Sequence, residues 1–266
     1  MIPKIIHYCW LSGEEYPETI AKCIDSWKEK LTEYEFILWD TKRFDITSNE
    51  YVMQAYQAKK YAFASDYIRL YALYHYGGIY LDSDIIVFKK FDELLINKAF
   101  CGFENEEGVT AWLLASEKGN PLFSELLSYY DNRDFLFPNG TFDTTPNVFP
   151  ITNTLVEHGL VLNGQKQELE NITIYPRTYF CPVIPYGDYK DCYSENTFAQ
   201  HLFNGGWIDI EQKQLLDKKH DFEKKYGKLF GMMYYGVEVL KREGIYSFLQ
   251  QWKIRLEKKK QKEMKK

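Results

Sequence analysis

Two carboxylates separated by a single residue, Asp82 and Asp84, lie at the end of an apolar run that starts at Ile79. Burying two acids side by side is costly, because their like charges repel and each loses its hydration. A divalent cation compensates both effects, and hard oxygen ligands favour Mg²⁺ or Mn²⁺ with open positions for substrate phosphates. The spacing therefore predicts a metal-bridged phosphate, such as a nucleotide diphosphate. The same short motif also occurs as a solvated pair of acids in a turn, which is the alternative.

The residues before the two acids are predicted to form a helix that ends at a glycine pair. Residues 61–76 carry side chains at helical spacing, and Asp66 and Arg69 lie three residues apart, where side chains meet on a helix surface. The glycines at 77–78 end this helix, because glycine is favoured just after the last turn. Residues 79–88 are then predicted to form a buried strand, and the two acids either interrupt this strand or lie at its end.

The full string S-D-x-x-R-x-x-x-L-x-x-x-G-G-x-Y-x-D-x-D resembles the signature of the D-x-D sugar transferases of glycosyltransferase family 32. That family includes fungal α-mannosyltransferase-like proteins and bacterial capsular polysaccharide enzymes, and the string is also similar to the core of the clostridial glucosylating toxins. The resemblance is strongest from residue 2 to about residue 103, patchy to residue 209 and absent beyond it. Every position of the signature is filled, by Ser65, Asp66, Arg69, Leu73, Gly77, Gly78, Tyr80, Asp82 and Asp84.

The resemblance implies a role for each polar residue of this signature. Asp66 would accept hydrogen bonds from hydroxyls of the donor sugar, and Arg69 would lie near the sugar and phosphate, where a guanidinium binds anionic oxygens. Asp84 would bind the metal most directly, Asp82 would reach the ribose or the metal's waters, and Tyr80 would contribute to the nucleotide-sugar site. The simpler alternative for Asp66 and Arg69 is an ion pair on the helix surface.

Trp10 lies near the end of the first predicted strand, residues 2–11. The resemblance implies that Trp10 stacks on the nucleotide base, because the family has a tryptophan at this position. An indole at a strand end also offers a flat platform for a base. The alternative is a tryptophan of the core. His7 points to the opposite side from Trp10 in a regular strand, so we expect His7 to be structural.

A second motif, H-L-F-N-G-G-W at residues 201–207, resembles a late element of the same family. Imidazole suits Mn²⁺ better than Mg²⁺, and the resemblance implies that His201 completes the metal site with Trp207 near the phosphates. The alternative is a structural histidine and a core tryptophan. Asn147, in a T-P-N sequence, resembles the family's segment that lines the donor sugar and the acceptor.

The composition is that of a globular protein in a reducing compartment. The 266 residues are 45% hydrophobic and 27% charged, and the five cysteines are scattered without a C-x-x-C pair. No basic and apolar leader follows Met1, and no apolar run approaches the roughly 20 residues of a membrane span. We therefore expect a cytoplasmic protein. The net charge of -5 argues against nucleic-acid binding.

Strand and helix patterns alternate along the first part of the chain. A helix predicted at 17–31 lies between strands at 2–11 and 35–39. Further strands are predicted at 100–103, 110–115, 171–175 and 179–184, and further helices at 120–130 and 151–158. Alternation predicts a mainly parallel sheet covered by helices, with ligands outside the carboxyl ends of its strands. The resemblance implies an α/β domain of the GT-A, Rossmann-like type at 1–209, followed by a helical C-terminal extension at 210–266.

The C-terminal residues have a basic amphipathic pattern. An apolar stripe at helical spacing consists of Ile245, Phe248, Leu249, Trp252 and Leu256. Residues 250–266 contain eight Lys or Arg and two Glu, a net charge of +6. This pattern is typical of an interfacial anchor and predicts binding to an anionic membrane surface, at the inner face of the cell membrane. The alternative is that the stripe packs on the catalytic domain and only the Lys-rich end is solvated.

These features predict a metal-dependent glycosyltransferase that moves a hexose from a nucleotide diphosphate sugar to a glycan or lipid-linked acceptor in polysaccharide synthesis. The metal would stabilise the leaving diphosphate as a Lewis acid. The resemblance implies retention of the anomeric configuration, and it favours UDP because the Trp10 element is most similar to UDP-sugar users.

Other functional classes are weighed against the transferase. An EF-hand calcium loop is excluded, because Val87 replaces its required glycine and Ile86 replaces an oxygen ligand. The enzymatic alternative is a phosphate-ester hydrolase, and the non-enzymatic one is a protein that binds nucleotide-sugars or glycans without chemistry. The presence of Asp82, Asp84 and His201 together favours the transferase over a binding protein.

Overall fold

A computed structural model describes residues 1–185 and 189–204, together with residues 215, 218, 219, 225, 227 and 233–238. The strands are β1 (Ile5–Cys9), β2 (Glu35–Trp39), β3 (Gly78–Leu81), β4 (Ile85–Val87), β5 (Ala99–Asn105), β6 (Gly108–Val109), β7 (Leu113–Ser116), β8 (Gln167–Glu168), β9 (Thr173–Tyr175) and β10 (Ala199–His201). The α-helices are α1 (Glu18–Lys30), α2 (Glu50–Gln57), α3 (Tyr61–Tyr76), α4 (Pro121–Ser128), α5 (Val148–Glu157) and α6 (Arg177–Phe180). Two short 3₁₀ helices cover Ile46–Ser48 and Asp92–Leu94.

Eight of the described strands form one mixed sheet with the order β2-β1-β3-β7-β5-β9-β8, to which β6 is added beside β5. Five of these strands run in the same direction. This follows from the parallel pairs β1–β2, β1–β3 and β5–β9 and from the antiparallel pairing of β7 with both β3 and β5. These five are β1, β2, β3, β5 and β9, so the mixed, mainly parallel α/β sheet is confirmed. The carboxyl ends of β1, β2, β3 and β5 share one edge, where ligands bind in such sheets.

Helices cover both faces of this sheet because each strand presents apolar side chains alternately to its two sides. In β3, Ile79 and Leu81 belong to the buried cluster that also contains Trp27 of α1. Tyr80 belongs to the opposite cluster, which contains Phe63 and other residues of α3. The predicted covering of the sheet on both faces is therefore confirmed within the described residues.

The turn between α3 and β3 depends on its two glycines. Gly77 and Gly78 have φ values of 69° and 117°, which side chains rarely adopt. A Cβ on Gly78 would lie 2.7 Å from the carbonyl oxygen of Ile5, and one on Gly77 would lie 2.7 Å from the backbone nitrogen of Lys118. The pair thus ends the helix, as predicted, and also lets β3 approach β1 closely.

Two predicted elements are wrong in their details. Residues 79–88 do not form one interrupted strand: β3 belongs to the large sheet, whereas β4 pairs with β10 in a separate two-stranded sheet. The chain turns between them, where the Ile85 N–H donates to Asp82 O at 3.3 Å. Residues 179–184 are not a strand, because the fixed φ of Pro176 starts the short helix α6 instead.

The chain divides into two compact units, Met1–Trp207 and Ile208–Lys266. In the second unit, residues 233–238 are helical. The predicted boundary between residues 209 and 210 stays a prediction. The apolar stripe at 245–256 lies outside the described residues. In the part of the chain that the structure describes, every helix is too short or too polar to cross a membrane.

Candidate active site at the carboxyl edge of the sheet

The two acids are placed by different strands. The Asp82 N–H, directly after β3, donates to Trp112 O at 2.9 Å. Asp84 precedes β4, and β4 pairs antiparallel with β10 in a register that sets Ile85 opposite His201. This pairing brings the imidazole of His201 beside Asp84, although the two residues are distant in the sequence.

Asp82, Asp84 and His201 converge into one cluster. Each offers a ligand atom, and these atoms all lie within 4.8 Å of one another. His201 Nε2 lies 3.2 Å from Asp84 Oδ1, and the Asn204 N–H donates to Asp84 Oδ2 at 2.9 Å. The side chains of Asp84 and His201 are 12% and 13% exposed, whereas that of Asp82 is 26% exposed. The cluster is therefore largely buried, with Asp82 on its more open side.

The two acids have opposite electrostatic surroundings. Burial by itself raises the pKa of Asp84, but the imidazole of His201 and the Asn204 N–H outweigh it, so this pKa lies below its ordinary value. Burial raises the pKa of Asp82, and the charge of Asp84 adds to this effect against the attraction of Arg69. Asp84 is thus held in the ionised form that binds a cation.

Arg69 joins the helix α3 to the acid motif. Its Nη2 atom lies 3.0 Å from Asp66 Oδ1 and 3.2 Å from Asp82 Oδ1, and its Nη1 donates to Ala111 O at 2.7 Å. The guanidinium also lies over the ring of Tyr80, 4.9 Å from its centroid. The pair of Asp66 and Arg69 is therefore buried, and the alternative of an ion pair on the helix surface is wrong because this side of α3 faces the sheet.

Asp66 is almost fully enclosed. Burial raises the pKa of Asp66 to about 7. The positive charge of Arg69 lowers this pKa, and the negative charge of Asp82 offsets part of that lowering. Asn147 donates from Nδ2 to Asp66 O at 3.0 Å and to the Tyr130 hydroxyl at 3.2 Å. The buried Oδ1 of Asn147 has no hydrogen-bond partner among the described residues. The structure therefore brings Asn147 to Asp66, and its buried Oδ1 keeps an unused capacity to accept a hydrogen bond among the described residues.

Trp10 directly follows β1 at the same edge of the sheet. Its indole N–H donates to Glu14 O at 2.7 Å, and its ring meets Tyr16 edge to face at 5.0 Å. Trp10 is partly buried and packs on the core beneath the sheet, so one part of the ring is covered and another is open. Trp207 lies outside the described residues.

Three further side chains lie around the cluster, and sequence patterns gave no signal for two of them, Trp112 and Glu104. The indole of Trp112 lies 4.8 Å from the imidazole of His201 at 33°, and the ring of Phe203 lies 4.1 Å from it at 42°. The Trp112 N–H donates to Glu104 Oε2 at 3.0 Å. Glu104 and Trp112 come from the ends of β5 and β7, and Phe203 belongs to the H-L-F-N-G-G-W motif, directly after β10.

The donor set fits a divalent cation. The guanidinium of Arg69 pairs with Asp66 and Asp82, and Asp84 lies in the same cluster as Asp82, so full ionisation of these three acids against one guanidinium leaves an excess of two negative charges. The buried Nδ1 of His201 has no hydrogen-bond partner in the described part of the chain. Two carboxylates and an imidazole are ligands that Mn²⁺ accepts readily.

The two acids and the buried pair of Asp66 and Arg69 lie in a region that matches a known family model. Residues 17–101 match the family model described as the glycosyltransferase sugar-binding region containing the DXD motif, and the chain carries that region. The resemblance drawn from the sequence is confirmed for this part.

Several curated relatives are fungal proteins. The chain is 32% identical over 146 residues to the mannosyl phosphorylinositol ceramide synthase SUR1 of Saccharomyces cerevisiae, an alignment that covers 51% of this chain and 37% of that protein. It is 29% identical over 228 residues to the inositol phosphoceramide mannosyltransferase 1 of Schizosaccharomyces pombe, covering 80% and 64%. The alignments thus span less than two thirds of these relatives. Among solved structures, the PaToxG glycosyltransferase is similar at a TM-score of 0.44 and 20% identity, over 59% of this chain and 68% of that one.

Proposed function

We propose that this protein is a metal-dependent hexosyltransferase that uses a nucleotide diphosphate sugar and a glycan or lipid-linked acceptor. The observation that carries the proposal is the convergence of Asp82, Asp84 and His201 within 4.8 Å, beside the buried pair of Asp66 and Arg69. A hydrolase of simple phosphate esters does not need a further acid, such as Asp66, to bind the hydroxyls of a sugar. The enclosed Asp66 therefore favours the transferase.

Asp82, Asp84 and His201 would hold the cation. We favour Mn²⁺ over Mg²⁺, because imidazole suits Mn²⁺ better than Mg²⁺. When bound, the cation supplies Lewis-acid stabilisation of the diphosphate leaving group. The low pKa of Asp84 keeps this ligand ionised near neutral pH.

The remaining polar residues would orient the donor. Asp66 accepts hydrogen bonds from hydroxyls of the sugar, and Asn147 Oδ1, which has no hydrogen-bond partner among the described residues, adds a second acceptor beside it. Arg69 holds Asp66 and Asp82 in place and brings a positive charge towards the phosphate side. We propose a reaction with retention of configuration, in which the leaving phosphate takes the acceptor's proton.

The exposed part of Trp10 would stack on the nucleotide base. The ring of Tyr80 would support the Arg69 guanidinium that lies over it, and Trp207 would lie near the phosphates. We favour a UDP-sugar as the donor. The names of the fungal relatives point to mannose as the sugar and to inositol phosphoceramide as the acceptor, so GDP-mannose and a lipid-linked acceptor are the second combination to test.

The test is a thermal-shift screen of UDP- and GDP-sugars, each with and without Mn²⁺. A donor at about a hundred times its Kd adds roughly 2.7 kcal/mol of stability, which shifts the melting temperature by several degrees. We expect stabilisation by one nucleotide-sugar that depends on Mn²⁺. Product analysis with and without an acceptor then separates transfer from donor hydrolysis. No stabilisation by any nucleotide-sugar in the presence of Mn²⁺ would contradict the proposal.

We further propose that the protein is cytoplasmic and binds the inner face of the cell membrane through residues 245–266, which combine the apolar stripe with the Lys-rich end. Each basic residue near an anionic surface contributes about 1 kcal/mol. Flotation with anionic liposomes, comparing the full chain with a version ending at Lys241, tests this. Absence of binding by the full chain at low salt would contradict it.

A further inference from the structure

A two-residue segment just before β7, Ala111–Trp112, touches three parts of the candidate site. Ala111 O accepts a hydrogen bond from Arg69 Nη1 at 2.7 Å. Trp112 O accepts one from the backbone N–H of Asp82 at 2.9 Å. The Trp112 indole lies 4.8 Å from the imidazole of His201 at a tilt of 33°. This segment therefore links the guanidinium, the acid motif and the third cluster residue, which reach the site from α3, β3 and β10.

The orientation of the Trp112 indole is fixed. The side chain belongs to the core beneath the sheet, with 4% exposure. Its N–H donates to Glu104 Oε2 at 3.0 Å, at the carboxyl end of β5. A ring that is both packed and hydrogen-bonded offers a rigid surface to its neighbour.

The imidazole of His201 is oriented by rings and by Asp84. A histidine that binds a metal is ordinarily oriented by a hydrogen bond from its second ring nitrogen to a carboxylate, carbonyl or water. Here Nε2 faces Asp84 Oδ1 at 3.2 Å, and the buried Nδ1 has no hydrogen-bond partner among the described residues. The contacts that remain are those with Trp112 and Phe203, at 4.8 Å and 4.1 Å between ring centroids.

We propose that Trp112, anchored by Glu104, is a positioning residue that holds the His201 imidazole in the orientation that binds the cation. This inference rests on the proposed cation site. Without the indole, the imidazole would rotate more freely, and part of the binding free energy would be lost in ordering it. Because the histidine distinguishes Mn²⁺ from Mg²⁺, the loss falls mainly on Mn²⁺.

The test measures Mn²⁺ affinity by electron paramagnetic resonance of the unbound ion, and Mg²⁺ affinity by competition, on the full chain. Trp112→Leu removes the aromatic surface, Trp112→Phe keeps a ring without the N–H, and Glu104→Leu removes the anchor of the indole. We expect Mn²⁺ affinity to fall about tenfold in Trp112→Leu, the scale of outer-shell changes at metal sites, and by less in the other two variants. The Mg²⁺ affinity should change far less, so the preference for Mn²⁺ declines.

Trp39→Phe is the matched control, because Trp39 donates its N–H to a different histidine, His7, at 3.1 Å. This variant should lower stability and leave the preference for Mn²⁺ unchanged. If Trp112→Leu does not fold, the same comparison is decided by Trp112→Phe and Glu104→Leu, which disturb the packing less.

Two outcomes overturn the inference and differ in what else they overturn. If the wild type binds Mn²⁺ and the folded Trp112 and Glu104 variants keep its preference for Mn²⁺, Trp112 has only a structural role. An equal loss of Mn²⁺ and Mg²⁺ affinity leads to the same conclusion. If the wild type shows no saturable Mn²⁺ binding, the proposed cation site and this inference fail together.

Discussion

Two histidines of this protein, the buried His7 and the partly buried His201, each contact a tryptophan, but the two pairs are built differently. At His7, Nε2 donates to Gly77 O at 2.7 Å and Nδ1 accepts the indole N–H of Trp39 at 3.1 Å. At His201, the ring of Trp112 packs against the imidazole at 4.8 Å, its N–H is directed elsewhere, and Nδ1 has no partner among the described residues. Both nitrogens of the His7 imidazole have hydrogen-bond partners, whereas the buried Nδ1 of His201 has none among the described residues.

The charges around the two histidines differ in the same way. No acid in the described part of the chain contributes at His7, where burial, with a smaller effect of the positive charge of Arg43, lowers the pKa to about 4 and keeps the ring uncharged at neutral pH. His201 lies beside Asp84 and Asp82, and these acids exceed the positive charge that Arg69 supplies. The difference teaches that burial alone does not distinguish a structural polar group from a ligand-binding one. A structural polar group has all its hydrogen bonds satisfied. A ligand-binding group combines unbalanced charge with acceptors that have no hydrogen-bond partner.

Removal of a proposed cation ligand should give the largest effect, and it tests whether the cluster around His201 binds a ligand. Asp84→Asn keeps an oxygen that accepts from the Asn204 N–H, so we expect the fold to persist. Transfer should fall roughly 1000-fold, the scale for losing one electrostatic group at developing charge. Product formation with Mn²⁺ and an acceptor measures this, with the exposed Asp25→Asn on α1 as the control. Near-wild-type turnover in Asp84→Asn would remove Asp84 from the site.

Loss of the buried guanidinium should have the next largest effect. Arg69→Met leaves Asp66 and Asp82 buried without their positive partner, which costs about 3–5 kcal/mol of unfolding free energy. Because a divalent cation supplies positive charge to the same cluster, Mn²⁺ should restore part of this loss. Chemical denaturation with and without Mn²⁺ measures both terms. Equal destabilisation in the two conditions would show that the cluster does not act as a cation site.

The structural histidine should make stability depend on pH. Its pKa is lowered from 6.5 to about 4 in the folded state, so the unfolded chain binds more protons between these values and stability is lost as the pH falls. Full loss of this contribution corresponds to about 3 kcal/mol of unfolding free energy. His7→Gln, which can still donate and accept, should flatten this dependence in urea denaturation at pH 7, 5 and 4. A slope equal to that of the wild type would contradict the assignment.

Trp10 should give the smallest effect and refines the comparison with a third aromatic environment. Its indole is hydrogen-bonded to Glu14 and partly open, so it is neither a closed core residue nor a part of the charged cluster. Trp10→Ala should weaken UDP binding by about 1–3 kcal/mol, the stacking scale, whereas Trp10→Phe should retain most of it. Calorimetry with UDP and Mn²⁺ measures this. Unchanged affinity in Trp10→Ala would assign the residue to the core.

The sequence by itself determined the local elements and the acid motif. Helical spacing and the glycine pair at 77–78 predicted the end of α3, and the apolar run predicted β3 with Asp82 directly after it. Alternating strands and helices predicted the α/β sheet and its carboxyl edge. These features depend on residues a few positions apart, so their physical causes, periodicity, capping and glycine's access to positive φ, are visible in the sequence.

Only the tertiary structure decided which side chains surround the acids. Asn204 lies 120 residues from the Asp84 carboxylate to which it donates, and the pairing of β10 with β4 places His201 in the cluster. Sequence similarity suggested His201, but no pattern indicated Trp112 or Glu104, which arrive from the ends of β7 and β5. Strand order and register are set by the packing of the whole sheet, whose energy is shared among residues far apart in the chain, so no local spacing records it.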